Sequence, residues 1–278
     1  MTAATTLPPT TGLRFSRLVR SEWVKFRSIR STVWCFAVLV VLTVAMAVLL
    51  GNFVNDAGTR MSQDSANGTL VSINTASVSL TALVVGVLGV LIITGEYGTG
   101  QIRSTFTADP RRTGVLLAKA AVLALATFVV SVVATWIGVA LSSVLQSARG
   151  VHPDVADPAV FMPILGSSVY VTLLALLAFG IGLLLRSSAG AIAVTLGILL
   201  VLPIVLSVFG SLLQAQWLLD VGKFLPDAAG GQLYAYSYAG QGAEPGIVLN
   251  GWAGFGVLAA EVVAVGALAL AVARRRDV

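Results

Sequence analysis

Charge is what this sequence has least of. Only 10% of its 278 residues are Asp, Glu, Lys or Arg, and 57% are hydrophobic, whereas soluble domains are about one-quarter charged. A water-soluble fold of this composition would have no polar surface. Cysteine is almost missing as well. Cys35 stands alone at the start of an apolar run, which excludes a disulfide framework and gives it no redox role. The single histidine, His152, sits beside Pro153 in a polar stretch. That leaves no paired Cys/His metal spacing, no H-E-x-x-H, and no base at depth for an intramembrane Ser–His hydrolase. The phosphate loop G-x-x-x-x-G-K-[ST] is absent too. The one Gly-Lys pair, Gly222-Lys223, has Trp217 where the motif requires its first glycine. The chain is therefore expected to hold no metal or cofactor of its own and to be no enzyme.

What the sequence has instead is long apolar runs. They cover approximately 33–53, 70–94, 115–145, 160–185, 189–209 and 251–273. About 20 residues at 1.5 Å each cross a hydrocarbon layer of roughly 30 Å, so the expected fold is all-α and polytopic, with six transmembrane helices. The net charge of +5 does not form one basic face, which argues against nucleic acid. Its basic residues flank the spans. Arg14, Arg17, Arg20, Lys25, Arg27, Arg30, Arg103, Arg111, Arg112, Lys119, Arg186, Arg274, Arg275 and Arg276 collect on one side, and only Arg60, Arg149 and Lys223 on the other. By the positive-inside rule both termini are cytoplasmic. A cleaved signal peptide at Ala45-Met46-Ala47 is disfavoured, because the basic leader is too long and cleavage would leave an odd number of spans.

Within this plan residues 1–12 read as a disordered tail and 13–278 as one transmembrane domain. Residues 13–32 read as an interfacial helix, with Phe15, Leu18, Val19, Trp23, Phe26 and Ile29 on one face and Arg14, Arg17, Arg20, Lys25 and Arg27 mostly opposite. Two residues break the pattern: Val24 faces the polar side, and Glu22 falls inside the apolar arc. Spans four and five, joined by little more than Arg186-Ser187-Ser188, must form a tight hairpin. Pro203 should kink the fifth span. The stretch 210–250 is too polar to cross, and its helical spacing of Trp217, Leu218, Val221, Phe224 and Leu225 predicts short re-entrant helices at the outer surface.

The cytoplasmic segment 95–114 within TGEYGTGQIRSTFTADPRRTGVLLAKA carries Glu96 at the end of a span, and Gly95, Gly98 and Gly100 for chain reversal. Asp109-Pro110-Arg111-Arg112 then precedes the next span. On composition alone it is either a docking surface or an ordinary basic loop. Together with SEWVKFRSIRST and KFLPDAAGGQLY, this stretch makes the chain resemble the permeases of the type-2 ABC exporter family, especially its actinobacterial branch. The resemblance implies a permease that pairs with a second permease copy, identical or similar, and docks on two copies of a separate ATPase holding ATP and Mg. It implies that 95–114 is the coupling segment, with Glu96, Tyr97, Gly100, Arg103, Pro110, Arg111 and Arg112 facing the ATPase. Arg17, Glu22, Lys25 and Arg27 would contribute from the interfacial helix. The cargo it implies is hydrophobic or amphipathic, such as a drug, antibiotic, peptide or lipid.

Two features inside the membrane complete the inventory. Glu261 lies near the middle of the last span, where an ionised carboxylate costs about 2.5–3.5 kcal/mol on insertion scales. It is either a substrate or proton site, or a neutral group bonded to a neighbouring helix. Ser72, Asn74, Thr75, Ser77, Ser79 and Thr81 crowd the outer half of the second span. Asn74, Ser77 and Thr81 are candidates for a hydrated translocation pathway, although such side chains also bond their own helix. The rival to the exporter is a proton-coupled secondary transporter titrating Glu261. Topology is directly testable: in a Cys35→Ala background, cysteines at Asp64 and Ala156 should react with an impermeant thiol reagent on intact cells, and one at Thr107 should stay unlabelled.

Overall fold

A computed structural model describes residues 15–53, 62–102, 113–238 and 247–275. Every regular element among them is helical, and six helical stretches are long and apolar enough to cross a membrane. The chain is an all-α polytopic membrane protein, as its apolar runs predict. The proposed tail at 1–12 lies outside the described residues.

The first helix, α1 (Phe15–Ser28), meets α2 (Arg30–Asn52) at Ile29 alone, whose extended backbone (φ −85°, ψ 117°) forms a one-residue elbow. The second span is two helices, α3 (Gln63–Thr75) and α4 (Val78–Gly98), broken at Ala76-Ser77. Then come α5 (Thr113–Ser147) and α6 (Pro158–Leu185). The fifth span is α7 (Ser188–Leu196), a π-turn (Gly197–Val201) and α8 (Leu202–Leu212). Short helices α9 (Gln216–Gly222) and α10 (Pro226–Gly231) precede the last span, α11 (Gly251–Arg275). The end of the bundle that carries α1 is called basal below, and the opposite end distal.

Local chemistry sets these boundaries. Ser62 accepts the Ser65 N–H at 3.2 Å to cap α3, and Asp157 accepts the Ala159 N–H at 2.9 Å to cap α6, with Pro158 at the first helical position. The expected hairpin is as tight as its sequence: Arg186 ends α6 in the left-handed region (φ 54°), and Ser187 caps α7. Pro203, expected to kink the fifth span, cannot donate to the carbonyl four residues back, and the span widens into a π-turn just before it.

The core is organised around α6. In that span 72% of the apolar window lies inside the protein, against 17% for α2 and 11% each for the fifth and last spans. Those three present apolar side chains outward on most of their surface, as helices facing lipid do. On the core side α4 lies close against α6, because Gly89 leaves room for the carbonyl oxygen of Ala175 where any Cβ would sit. At the distal end α10 is seated in the same manner, with the Ala229 carbonyl against Gly254. Hydrogen bonds latch this end: Tyr170 donates to Asp227 at 2.6 Å, Tyr236 to Asp64 at 2.8 Å, and Asn67 to Asp157 at 2.9 Å.

Candidate functional site

α1 is amphipathic, yet its buried edge is not the expected apolar arc. Glu22 and Phe26 are its buried residues, while Phe15, Trp23 and Ile29 are exposed. Phe26 anchors the helix by packing on Trp23 and on Phe36 of α2, with ring centroids 6.2 and 5.8 Å apart. One turn earlier the same edge delivers the Glu22 carboxylate into the protein.

That carboxylate meets Lys119, in the second turn of α5. The Lys119 ammonium donates to Glu22 Oε2 at 2.5 Å and to Glu96 Oε1 at 2.8 Å. Lys25, one turn along α1, donates to Glu22 Oε1 at 2.8 Å and stands 3.7 Å from Glu96 Oε1. Glu22, Glu96 and Lys119 have side chains no more than 7% exposed, while Lys25 is 30% exposed and forms the wet rim. Two cations and two carboxylates cancel, so the cluster carries no net charge into its low-dielectric setting. Glu96 sits in the last turn of α4, where the helix dipole disfavours a negative group, and Lys119 compensates it. Burial alone would depress the Lys25 pKa. Hydrogen bonding and attraction from Glu22, then Glu96, outweigh that effect and raise it above the ordinary lysine value of 10.5. Its stabilising contribution is therefore fully present below that value and is lost only as the solution becomes more alkaline still.

The geometry ties three helices at one point. Glu96 closes the helix that leads into the segment 95–114, Lys119 stands in the helix that leads out of it, and Glu22 belongs to α1. Of the candidate coupling residues, Glu22, Lys25 and Glu96 are brought together here, with both carboxylates turned inward. Tyr97 lies beside them, half-buried, with the Arg186 guanidinium carbon 5.2 Å from its ring centroid. Gly100 turns the chain at φ +72° in open space, and Arg17 and Arg27 stay exposed on α1. Arg103, Pro110, Arg111 and Arg112 lie outside the described residues. Lys119 is the group that sequence reasoning missed as a site residue. Its signal was a lysine inside the third apolar run, a position too costly to hold unpaired.

Asn74, Ser77 and Thr81 also come together, but not on a wide pathway. With Thr43, Ser131, Thr135 and Ser167 they line a small cavity of about 10 Å³ between α2, α3, α4, α5 and α6. One face of α5 carries a row of buried polar groups, Thr127, Ser131, Thr135, Ser142 and Gln146, of which Ser131 and Thr135 line this cavity. Ser72 and Ser79, from the same polar stretch as Asn74, are exposed elsewhere. Glu261 is half-buried on α11, on the stripe that includes Gly254, Leu258 and Ala269, and its Oε2 is buried without a hydrogen-bond partner. It joins neither group. Among the described residues no three His, Cys, Asp or Glu side chains are placed to hold a metal ion.

Removing one member of the basal cluster should be far worse than removing a pair. Lys119→Met leaves two buried carboxylates with only the partly exposed Lys25 between them and should destabilise the protein by about 3–5 kcal/mol. Adding Glu22→Gln should restore part of that loss, as read by thermal unfolding in detergent across a double-mutant cycle.

The family model described as ABC-2 family transporter protein matches residues 18–214, from within α1 to just beyond α8. No curated protein matches the chain.

Proposed function

The chain belongs to the ABC-2 transporter family, and from that premise we propose that it is the permease subunit of an ATP-driven exporter whose ATPase is a separate polypeptide. The observation that carries this reading is the Lys119 bridge, which joins the two helices flanking the segment 95–114 to each other and to α1. A push on that segment is passed at once to three helices instead of being lost in a loose loop. In this reading the segment is the coupling element, and the basal end is cytoplasmic, as are both termini. Arg103, Arg111 and Arg112 meet the ATPase. Tyr97, Gly100 and Pro110 face it as well, and Arg17 and Arg27 widen the docking face. Glu22, Lys25 and Glu96 act behind that face, transmitting force.

Two ATPase copies close on ATP and Mg, and two permeases, identical or similar, open a shared path outward in the plasma membrane by alternating access. Catalysis belongs to the partner. The cargo class that suits such a path is hydrophobic or amphipathic: a drug, antibiotic, peptide or lipid. Asn74, Ser77 and Thr81 are not assigned to the cargo path, since the cavity they share has no room for cargo of that size.

The test separates docking from transmission. The permease is purified in gentle detergent and probed for a co-eluting P-loop ATPase. Wild type should carry one. Arg111→Ala with Arg112→Ala should release it, because truncating one side of a buried charged contact costs roughly 2–5 kcal/mol. Glu96→Gln should keep the ATPase bound while ATP hydrolysis no longer drives transport. A wild-type protein that elutes alone and transports in proteoliposomes without ATP would sink the exporter.

One observation favours a second reading, a proton-coupled secondary transporter: the unpartnered Oε2 of Glu261. An exporter powered by ATP needs no titrating acid, so Glu261→Gln should leave transport and its pH dependence largely intact. Collapse of both, with assembly and ATPase coupling unchanged, would shift the assignment to the rival.

A further inference from the structure

Beside the seam between α6 and α11 the bundle carries a furrow. The two helices touch where glycine allows it, for a Cβ on Gly180 would stand 2.9 Å from Val265 Cγ1. One residue further along α11 that contact is gone: a Cβ on Gly266 would meet nothing within 4 Å. The start of α5 forms the third wall with Leu116, Leu117 and Ala120, and the space between the three helices amounts to about 340 Å³. Its lining side chains are all hydrocarbon. Leu117 and Val263 on its lips are 50% and 68% exposed, so the furrow opens outward, toward the surrounding lipid.

Size and chemistry narrow the occupant. Along α11 the furrow spans 262–270, about 12 Å at 1.5 Å per residue. Its mean cross-section is therefore on the order of 30 Å², whereas a helix 10 Å across needs roughly 80 Å². A helix of a second copy could lie over the furrow but could not enter it. A single hydrocarbon chain can. Water gains nothing there, because the walls offer it no polar side chain. Charge at the basal mouth supplies the other half of the match. Val263, Ala267 and Leu270 share one side of α11 and line the furrow, and the next residue in that row is Arg274, exposed in the last turn with Arg275 beside it. Four residues set the Arg274 Cα about 6 Å beyond Leu270, and a long cationic side chain at the end of a span reaches the headgroup layer. A row that is hydrocarbon for two turns and then cationic mirrors a phospholipid, with its acyl chain and then its phosphate.

We propose that this furrow is a lipid site, in which one acyl chain of an anionic phospholipid from the basal leaflet lies between α5, α6 and α11 and its phosphate is held by Arg274. The lipid is a resident part of the bundle, separate from any cargo, and the site does not depend on the exporter reading. It gives the last span a neighbour on the side where protein provides none. Only 11% of that span's apolar window is buried inside the protein, and the acyl chain would couple α11 to α5 across the gap.

The site is tested on the full-length chain in phosphatidylcholine nanodiscs carrying a trace of phosphatidylglycerol with a diazirine in its acyl chain. After illumination the crosslinked peptides are identified by mass spectrometry. Crosslinks should concentrate on 116–120 and 262–270 and exceed those on α2, whose exposed Val41 samples bulk lipid. Equal labelling of the two regions would report bulk lipid only and overturn the proposal. Gly266→Leu fills the furrow from a position with room for a side chain. It should remove most of the excess while labelling of α2, the control for folding, stays unchanged; an excess that survives this change overturns the site. A phosphatidylcholine probe with the same diazirine should label the furrow about fivefold less, the preference expected of one arginine near an anionic headgroup. Arg274→Gln, at an exposed position, should erase that preference and keep the acyl-chain crosslinks. An undiminished preference overturns the role of Arg274. In a Cys35→Ala background, Ala267→Cys chains that join by disulfide in the membrane would place a second copy over the furrow and overturn the lipid.

Discussion

An ammonium withdrawn from water and shared between two carboxylates is the constraint on which the basal half of this protein depends. Lys119 cannot leave Glu22 and Glu96 without stranding charge in a place that will not solvate it. The contact is directional in a way that apolar packing is not. Leucines can slide past one another at modest cost, whereas an ion pair at 2.5–2.8 Å fixes the register of α1, α4 and α5 together. Burial makes the cluster strong evidence of fixed geometry and weak evidence of stability, because well-packed apolar side chains often do as well energetically.

The rest of the bundle divides into an inner and an outer set of helices. α6 is wrapped by α4, α5 and α11, and the close approach at Gly89 leaves little freedom between α4 and α6. The fifth and last spans bury little of their own surface, although the last lies along one side of α6. Rearrangement is thus easier at the periphery than at the centre, and the π-turn before Pro203 lies in one of the peripheral spans.

Much of this was legible in the sequence, because a hydrocarbon layer demands runs of about 20 apolar residues and little else produces them. The six spans, the α6–α7 turn at Arg186 and the short helices after residue 210 all followed from that demand and from turn chemistry. The candidate site was legible only in part. Glu22 stood out as a charge inside an apolar arc, which is how a buried ion pair looks before its partner is known. Lys119 did not, because a lysine near the start of a span already satisfies the topology rule and so hides a second role. Hydroxyl density near Asn74 pointed to a polar interior, but density cannot report volume, and the cavity proved water-sized. The matching row on α5 was overlooked because hydroxyls every turn in an apolar helix look the same as ordinary helix packing.

Ile29 sets one last relation. A single extended residue joins α1 to α2, so the two helices share a joint no longer than one peptide step, about 3.8 Å between neighbouring Cα atoms. Such a joint has no slack. A sideways displacement of α1 cannot be taken up by uncoiling a linker and has to appear as a tilt of α2, amplified along its 23 residues. With Lys119 fixing one side of α1 and Ile29 the other, the short surface helix behaves as a crank: small at the input, long at the output, and pinned at its pivot by a charge.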